Sequence, residues 1–435
     1  MMEKVTLKMG FIYNLRPEKI MWIAILALFG FLILAPVDIN NTLDTSSVSY
    51  IILSLLFFWA GTKMIRTRRV NTPVEIEVDR GKIERIYKIT FWLGLIGVLF
   101  RYYDLFVYRG VSISTSAMDN MDLMAGESGN IFSIIASMLM FSAYIPPMID
   151  LLCEKLHSWG WKVLSFIVFV ALMINGVLCG SRFAIVIPIV YYLLLLLSTG
   201  KLKFRFSFRN MMIWLVIIIG VGYVVGALFL RRLSEQNVTV VMSISSETGG
   251  YSDKVPATAS FQRLLTESSD KWYFVYLFAY SNVTQYGMHA IFEFPEVKKY
   301  VDQQGDHFYG AATFSVITKF IHKVLGSSYN IQEEINRHNA RIGIWSTFFF
   351  LWYLDFGWVG VFLMFILGYL TKKVWSNVYY RQHILYLPLL CILSIILLLV
   401  FQLNYISGSG TYALITFIAL LICFKSPFST VRIGK

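Results

Sequence analysis

Residues 20–35 read IMWIAILALFGFLILA, an apolar run without a single charged side chain. A helix rising 1.5 Å per residue needs about 20 apolar residues to cross a hydrocarbon core of about 30 Å, and residues 20–36 approach that length. The run follows a basic N-terminal segment, is long for a signal-peptide core and lacks a clear small-residue cleavage site. We therefore expect a retained signal anchor that crosses the membrane.

Similar apolar runs recur along all 435 residues, which are 57% hydrophobic and only 15% charged, with a mean hydropathy of +0.63. This composition excludes the soluble fold classes. The predicted spans are residues 20–36, 49–65, 88–107, 131–152, 162–179, 183–199, 211–230, 347–371, 384–402 and 411–425. The sequence thus predicts an all-α polytopic membrane protein of about ten transmembrane helices.

The basic residues lie between the apolar runs. A net charge of +12 would suit a nucleic-acid partner only if the basic side chains gathered on one folded face, so no nucleic acid is expected. Most of the 38 Lys and Arg residues fall in alternate connecting segments, and the positive-inside rule places these segments and both termini in the cytoplasm. Three regions follow: about seven helices in residues 1–230, an extracytoplasmic (periplasmic) loop domain in residues 231–345, and about three helices in residues 346–435.

Two pieces of the loop domain have helical character. Residues 271–294 are dense in aromatic side chains and fit either a span or an interfacial helix; the charge pattern favours a re-entrant or surface helix. In residues 314–325, apolar side chains recur at helical spacing with basic side chains elsewhere around the turn. We expect this second piece to be amphipathic and to lie on the outer leaflet.

Four arginines at the predicted outer ends of spans oppose the positive-inside pattern. Arg101 lies three residues before Asp104, Arg182 occupies a short turn, and Arg231 and Arg232 follow the seventh span. Guanidinium groups stay protonated and grip phosphate oxygens in bidentate fashion, so these arginines are candidates for binding a pyrophosphate without a metal. The alternative is a structural role, in which Arg101 pairs with Asp104 and the other three arginines extend to lipid phosphates.

Residues 336–341, NRHNAR, form the most enzyme-like stretch of the chain. His338 is a candidate general base on a sugar hydroxyl, while Arg337 and Arg341 could stabilise a leaving phosphate. His307, beside Asp306, is a second candidate base. A solvated polar loop before a membrane helix is the alternative for this stretch.

Several familiar motifs lack their context. Asp355-Phe356-Gly357 spells a kinase metal-binding motif, but no glycine-rich loop, lysine strand or catalytic loop accompanies it. No H-E-x-x-H, G-x-S-x-G or P-loop pattern occurs, and the cysteines form no C-x-x-C pair, so no metal site is predicted. The cysteines expected as small buried apolar residues are Cys153, Cys179, Cys391 and Cys423.

Residues 346–361, STFFFLWYLDFGWVGV, resemble the Wzy-type oligosaccharide repeat-unit polymerases. In that family a threonine-bearing segment enters a membrane helix and is followed by an Asp-Phe-Gly-x-x-Gly turn. The positions that match, with a motif or structural role, are Thr347, Asp355, Gly357 and Gly360. The Gly180-Ser181-Arg182 turn before an apolar helix, and the large loop between the later spans, match the family as well.

The resemblance implies a fold similar to GT-C-like polymerases and ligases, and a metal-independent glycosyltransferase without cofactors in the bacterial cytoplasmic (inner) membrane. Such an enzyme moves a growing glycan from polyprenyl (undecaprenyl) pyrophosphate onto a new lipid-linked repeat unit at the outer face, in O-antigen, capsule or exopolysaccharide synthesis. Its partners would be the lipid-linked oligosaccharide, membrane lipid and a chain-length regulator protein. An O-antigen ligase of similar fold and a polysaccharide transporter or flippase remain alternatives.

Overall fold

The structure is a computed structural model of the chain. It describes residues 2–7, 9–39, 43–68, 74–116, 119–120, 123–124, 130–178, 182–202, 239–245, 251–326, 329–339, 341, 344 and 346–430, with isolated positions between 208 and 233. For residues 2–7, 9–10, 74–76, 175, 182, 251 and 428–430 the description covers the backbone alone.

Helices dominate the described residues. They are α1 (Met9–Asn14), α2 (Pro17–Leu34), α3 (Thr45–Lys63), α4 (Arg80–Tyr102), α5 (Ile131–Leu139), α6 (Ile145–Leu152), α7 (Trp159–Leu178), α8 (Arg182–Thr199), α9 (Val240–Ile244), α10 (Ala259–Glu267), α11 (Phe274–Gln304), α12 (Ser315–Val324), α13 (Ile331–Arg337), α14 (Phe348–Phe356), α15 (Val359–Tyr379), α16 (Leu387–Leu398) and α17 (Thr411–Cys423). Three short strands are β1 (Met2–Leu7), β2 (Val74–Asp79) and β3 (Phe428–Thr430).

Within the described residues, seven helical stretches are long and apolar enough to cross a membrane. They are Pro17–Leu34, Thr45–Lys63, Arg80–Tyr108, Ile131–Leu152, Trp159–Leu178, Val359–Tyr379 and Ile406–Cys423. Shorter apolar helices cover Phe183–Thr199 and Ile384–Leu398. The prediction of a helical membrane protein is confirmed, while the predicted span at 211–230 lies mostly outside the described residues.

The predicted span over residues 347–371 is two helices. α14 ends at Phe356, and Gly357 has a φ of +51°, in the left-handed region that glycine adopts without a Cβ clash. A Cβ on Gly357 would also lie 2.6 Å from Nε2 of His307, so the turn has no room for a side chain. α15 begins afresh at Val359 and continues to Tyr379, beyond the predicted end.

Close packing of α3 against α15 joins the N-terminal and C-terminal helices. A Cβ added to Gly61 would lie 2.0 Å from the Phe365 carbonyl oxygen, and one added to Gly368 would lie 2.1 Å from the Phe58 carbonyl oxygen. Small residues at such points let helix backbones approach each other in a membrane, where dispersion contacts drive helix association. The two glycines therefore set the separation of this helix pair.

A three-stranded antiparallel sheet, which the sequence analysis did not predict, joins distant parts of the chain. β2 pairs with β1 from Met2–Asp79 to Leu7–Val74, and with β3 from Ile76–Thr430 to Val78–Phe428. The alternation of valine or isoleucine with acidic residues in β2 suits a strand with one covered face. The sheet brings both ends of the chain to one end of the helix bundle, which we call the sheet end.

Helix α11 lies along the opposite end of the bundle, which we call the α11 end. The Tyr280 hydroxyl donates to the carbonyl of Leu34, at the end of α2. Further along, Gly287 meets the Phe31 ring, and the Phe294 ring lies 5.9 Å from that of Tyr50, near the start of α3. All these contacts stay at one end of the bundle.

The amphipathic helix expected at residues 314–325 is present as α12. Its predicted apolar residues are all exposed, namely Phe314, Ile317, Ile321, Val324 and Leu325.

The variant Gly368→Ala is predicted to destabilise the protein by about 1–3 kcal/mol, because its methyl group would overlap backbone atoms of α3 that cannot move aside cheaply. Thermal unfolding of the purified protein in detergent measures the effect. Gly30→Ala is the matched control, since nothing lies within 4 Å of a Cβ at Gly30 in α2. Equal unfolding temperatures for the two variants would contradict the packing interpretation.

Candidate functional site

A cavity of about 320 Å³ opens inside the helix bundle. Its walls come from five segments, at residues 98–102, 140–144, 171–172, 183–188 and 403–409. Most lining side chains are apolar, and Arg101 is the one charged side chain among the described lining residues. The volume falls at the lower end of the range of about 300–1,000 Å³ that is typical of small-ligand sites.

One wall of this cavity is an interruption between two apolar helices. α16 ends at Leu398 and α17 begins at Thr411; between them, Ser407 has a ψ of 130° and Gly408 has a φ of 81°. The sequence analysis placed residues 403–410 in a simple loop between spans, whereas the structure places most of them against the cavity. The connection between these two helices therefore contributes backbone and polar side chains to the wall of the cavity.

Hydrogen bonds hold the interruption in place. The Asn404 side-chain oxygen accepts from the Ile406 N–H at 3.1 Å, and the Thr411 hydroxyl donates to the Ile406 carbonyl at 2.5 Å. The Ser407 and Ser315 hydroxyl oxygens lie 3.2 Å apart, which connects the interruption to α12. The segment is thus an ordered part of the cavity wall.

Arg101 pairs with Asp104, one of the roles considered for it, and also lines the cavity. Its Nη1 lies 3.1 Å from Oδ2 of Asp104, and Nε of Arg109 lies 3.1 Å from Oδ1 of the same carboxylate. Asn130 also donates to Asp104, whose side chain is fully buried. Residues 103–108 form a π-helical turn, a feature frequent at functional sites, and this turn carries Asp104 into the centre of the cluster.

The other predicted pyrophosphate-binding arginines are only partly described. The backbone of Arg182 begins α8, directly before the cavity-lining residues Phe183 and Ala184. Arg231 and Arg232 lie outside the described residues.

His338 is buried at the end of α13, with 6% of its surface exposed. Its Nδ1 lies 2.8 Å from the Glu334 carbonyl oxygen, and its ring lies 4.8 Å from that of Phe308. Because a carbonyl can only accept, we infer that Nδ1 carries the proton of the neutral ring. Nε2, which has no hydrogen-bond partner among the described residues, then presents a lone pair, as a general base requires.

The two arginines beside His338 have different surroundings. Arg337 is 68% exposed and pairs with Glu334 at 2.8 Å, so it faces away from the protein interior. Arg341 is held by two carboxylates: its Nε lies 3.1 Å from Oε2 of Glu293, and it also pairs with Asp253. The charge of Arg341 is therefore already compensated within the protein.

Glu293 is a buried titratable residue that the sequence analysis did not single out. Burial raises its pKa to about 7, against the opposing effect of the Arg341 and Lys254 charges. No sequence signal marks it, because it lies in the aromatic stretch of α11 and its burial depends on residues distant in the chain. A carboxyl that titrates near neutrality can give or take a proton under physiological conditions.

Helix α11 runs from the cluster of Glu293 and Arg341 to a segment beside the cavity. The side-chain amide of Gln402, directly before the interruption, lies 3.4 Å from the carbonyl oxygen of Gly287 on α11. Glu293 follows six residues later on the same helix, a rise of about 9 Å. Both regions therefore belong to the α11 end of the bundle.

The motif residues near α14 hold a turn in place. Both carboxylate oxygens of Asp355 accept backbone N–H groups, from Ala312 at 2.9 Å and from Thr313 at 2.7 Å. Gly360 lies against the Tyr50 hydroxyl, and Thr347 is fully buried before α14. Among these positions Asp355 fixes residues 312 and 313 against α14, and Phe308 of the same turn packs on the His338 ring.

The described residues contain no group of three or more His, Cys, Asp or Glu side chains arranged to hold a metal ion. Of the described cysteines, Cys153 and Cys391 are buried, as expected, whereas Cys423 is exposed.

The variant Glu293→Gln is predicted to flatten the pH dependence of stability between about pH 4.5 and 7. A carboxyl whose pKa rises on folding binds more protons in the folded state, so the contribution of Glu293 to stability is fully present below about pH 4.5 and is lost as the pH rises through about 7. Glutamine does not titrate, so the variant does not lose this contribution to the free energy of unfolding, which is up to about 3 kcal/mol. Unfolding temperatures in detergent from pH 4 to pH 8 measure it.

The control for this series is Glu333→Gln, on α13, where the side chain is exposed and solvent screens its charge. We expect this control to keep the wild-type slope. Parallel curves for wild type and Glu293→Gln would contradict the role of burial.

No family model, curated protein or solved structure matches this chain. A function can therefore be proposed from three observations: the cavity, the interruption at residues 403–409 in its wall, and the unpaired Nε2 atom of His338 in the described structure.

Proposed function

We propose that this protein is an oligosaccharide repeat-unit polymerase, a metal-independent glycosyltransferase that moves a growing polyprenyl-pyrophosphate-linked glycan onto a new lipid-linked repeat unit. The observation that carries the proposal is the cavity inside the membrane-spanning helices, with mostly apolar walls, Arg101 and the polar interruption at residues 403–409. Such a lining suits an amphiphile, because a lipid tail requires apolar contacts and a phosphate requires positive charge and N–H or O–H donors.

The proposed chemistry is a displacement at the anomeric carbon of the growing chain. An acceptor hydroxyl loses its proton to Nε2 of His338 and forms the new glycosidic bond, while the bond to the pyrophosphate breaks. Arg101, with Arg182, Arg231 and Arg232, stabilises the negative charge of the departing pyrophosphate. Arg341 acts indirectly in this scheme, because its contacts with Glu293 and Asp253 position the segment that follows His338.

The proposed orientation places the α11 end outside the cytoplasmic membrane of a bacterium and the sheet end inside. Ten spans, with one at residues 211–230, return both termini to the cytoplasm. The pairing of β1, β2 and β3 in one sheet supports this arrangement. Strands of one sheet lie on the same side of the membrane, so the chain must cross the membrane an even number of times between any two of them. A chain-length regulator would bind from the outer side.

A transporter or flippase is the second candidate, and the cavity among the helices is the observation that favours it, because a translocated substrate would also need a site inside the bundle. An O-antigen ligase would share the proposed chemistry and differ in its acceptor.

Deleting the gene tests the polymerase proposal. We expect surface polysaccharide with single repeat units in place of a ladder on a gel, because repeat units would still be made, exported and attached. Complete loss of sugar from the lipid anchor would point to a ligase. In detergent, the purified protein should lengthen lipid-linked repeat units; a transporter would leave their length unchanged.

The variant His338→Ala is predicted to slow chain extension by about 100-fold or more, the usual contribution of a general base. The rate of ladder formation by the purified protein measures this, together with the unfolding temperature as a check on folding. His383→Ala is the control, since His383 is exposed at the sheet end. An unchanged rate in a folded His338→Ala protein would remove this residue from the mechanism.

A further inference from the structure

In the described structure, the oxygen of the Asn404 side-chain amide accepts a hydrogen bond, but its NH₂ group donates none. Asn404 is 4% exposed and lines the cavity. Its Oδ1 accepts from the Ile406 N–H, which fixes the orientation of the amide, because an N–H group could not pair with the NH₂ group instead. Nδ2 is buried and has no partner among the described residues.

An unpaired buried donor costs free energy, so native proteins keep few of them. A fold that needed only the Ile406 contact could use a side chain with an acceptor alone. Asn404 instead adds a donor within the interruption that forms the cavity wall. A ligand that brings an acceptor atom into the cavity would satisfy this donor.

We infer that the interruption is a phosphate-binding element, in which Nδ2 of Asn404 donates to a phosphate oxygen of a lipid-linked ligand and Arg101 supplies the positive charge. This assignment rests on the proposed function and names the chemical group that the cavity holds. Besides the arginines proposed from the sequence, it makes the neutral amide of Asn404 a phosphate ligand.

The lining favours a phosphate over a sugar at this position. Phosphate oxygens are anionic and only accept hydrogen bonds. Arg101 is cationic and there is no carboxylate among the described lining residues, so the charge of the lining favours an anionic group, whereas the lining hydroxyls of Ser407 and Ser409 suit either ligand. The apolar walls of the cavity fit the adjoining lipid tail.

The interruption also positions this donor. The Thr411 hydroxyl and the Asn404 oxygen together bind both backbone groups of Ile406, so the turn that carries the amide is fixed before a ligand arrives. A preorganised donor loses little conformational entropy on binding, which favours affinity.

Binding of farnesyl pyrophosphate to the purified full-length protein, measured by calorimetry in detergent, tests the inference. Asn404→Asp keeps the acceptor for the Ile406 N–H but replaces the donor by a negative charge, and Asn404→Leu removes both. We expect each variant to bind at least about tenfold more weakly than wild type, as for the loss of a hydrogen bond to a charged group.

Asn377→Asp is the matched control. It makes the same amide-to-carboxylate change at another buried asparagine, on α15 at the sheet end and outside the cavity lining, and this variant should bind farnesyl pyrophosphate like wild type. Farnesol and an alkyl glucoside serve as probes that carry the tail alone and a sugar head alone. The binding of these two probes should not change in Asn404→Asp.

Wild-type affinity for farnesyl pyrophosphate in folded Asn404→Asp and Asn404→Leu proteins would overturn the inference, as would an equal loss of alkyl glucoside binding. If Asn404→Asp does not fold, Asn404→Leu is compared with Asn404→Ser instead. The serine hydroxyl is a hydrogen-bond donor, so Asn404→Ser should bind farnesyl pyrophosphate more tightly than Asn404→Leu. Asn404-dependent binding without any lengthening of lipid-linked glycans would refute the polymerase proposal and leave the phosphate site in place.

Discussion

The fold depends on the requirement that every backbone N–H and C=O group inside a membrane finds a partner within the protein. The apolar run at residues 20–35 meets it by forming a helix, as do the other spans. Between Leu398 and Thr411 the backbone is not a regular helix, and side chains and neighbouring segments supply partners there; the Val400 carbonyl, for example, accepts from the Phe348 N–H at 2.9 Å. These contacts hold residues 403–409 in the wall of the cavity.

The sequence predicted the features that depend on local pattern. Apolar length located the membrane helices, and periodicity located the amphipathic helix at residues 314–325, because both properties are local. The interruption at residues 403–409 was not foreseen, since a loop that enters a cavity has the same composition as one at the surface. The burial of Glu293 and the unpaired amide of Asn404 arise from residues distant in the chain, which a single sequence does not bring together.

The motif at residues 346–361 contributes architecture in the described structure. Asp355 binds two backbone N–H groups of the turn at residues 308–313, and the left-handed Gly357 provides the sharp change of direction before α15. Phe308, in the same turn, packs on the His338 ring. The string that resembles a family motif thus supports the turn that packs on His338, the residue proposed as general base.

The small sheet has a consequence for the order in which the protein assembles. β2 lies near the start of the chain, whereas its partner β3 follows all seventeen helices defined within the described residues. The β2–β3 pairing cannot form until the ribosome has made the last of these helices. Closure of the sheet is therefore a late step of biogenesis that ties the finished C-terminal segment to strands made much earlier.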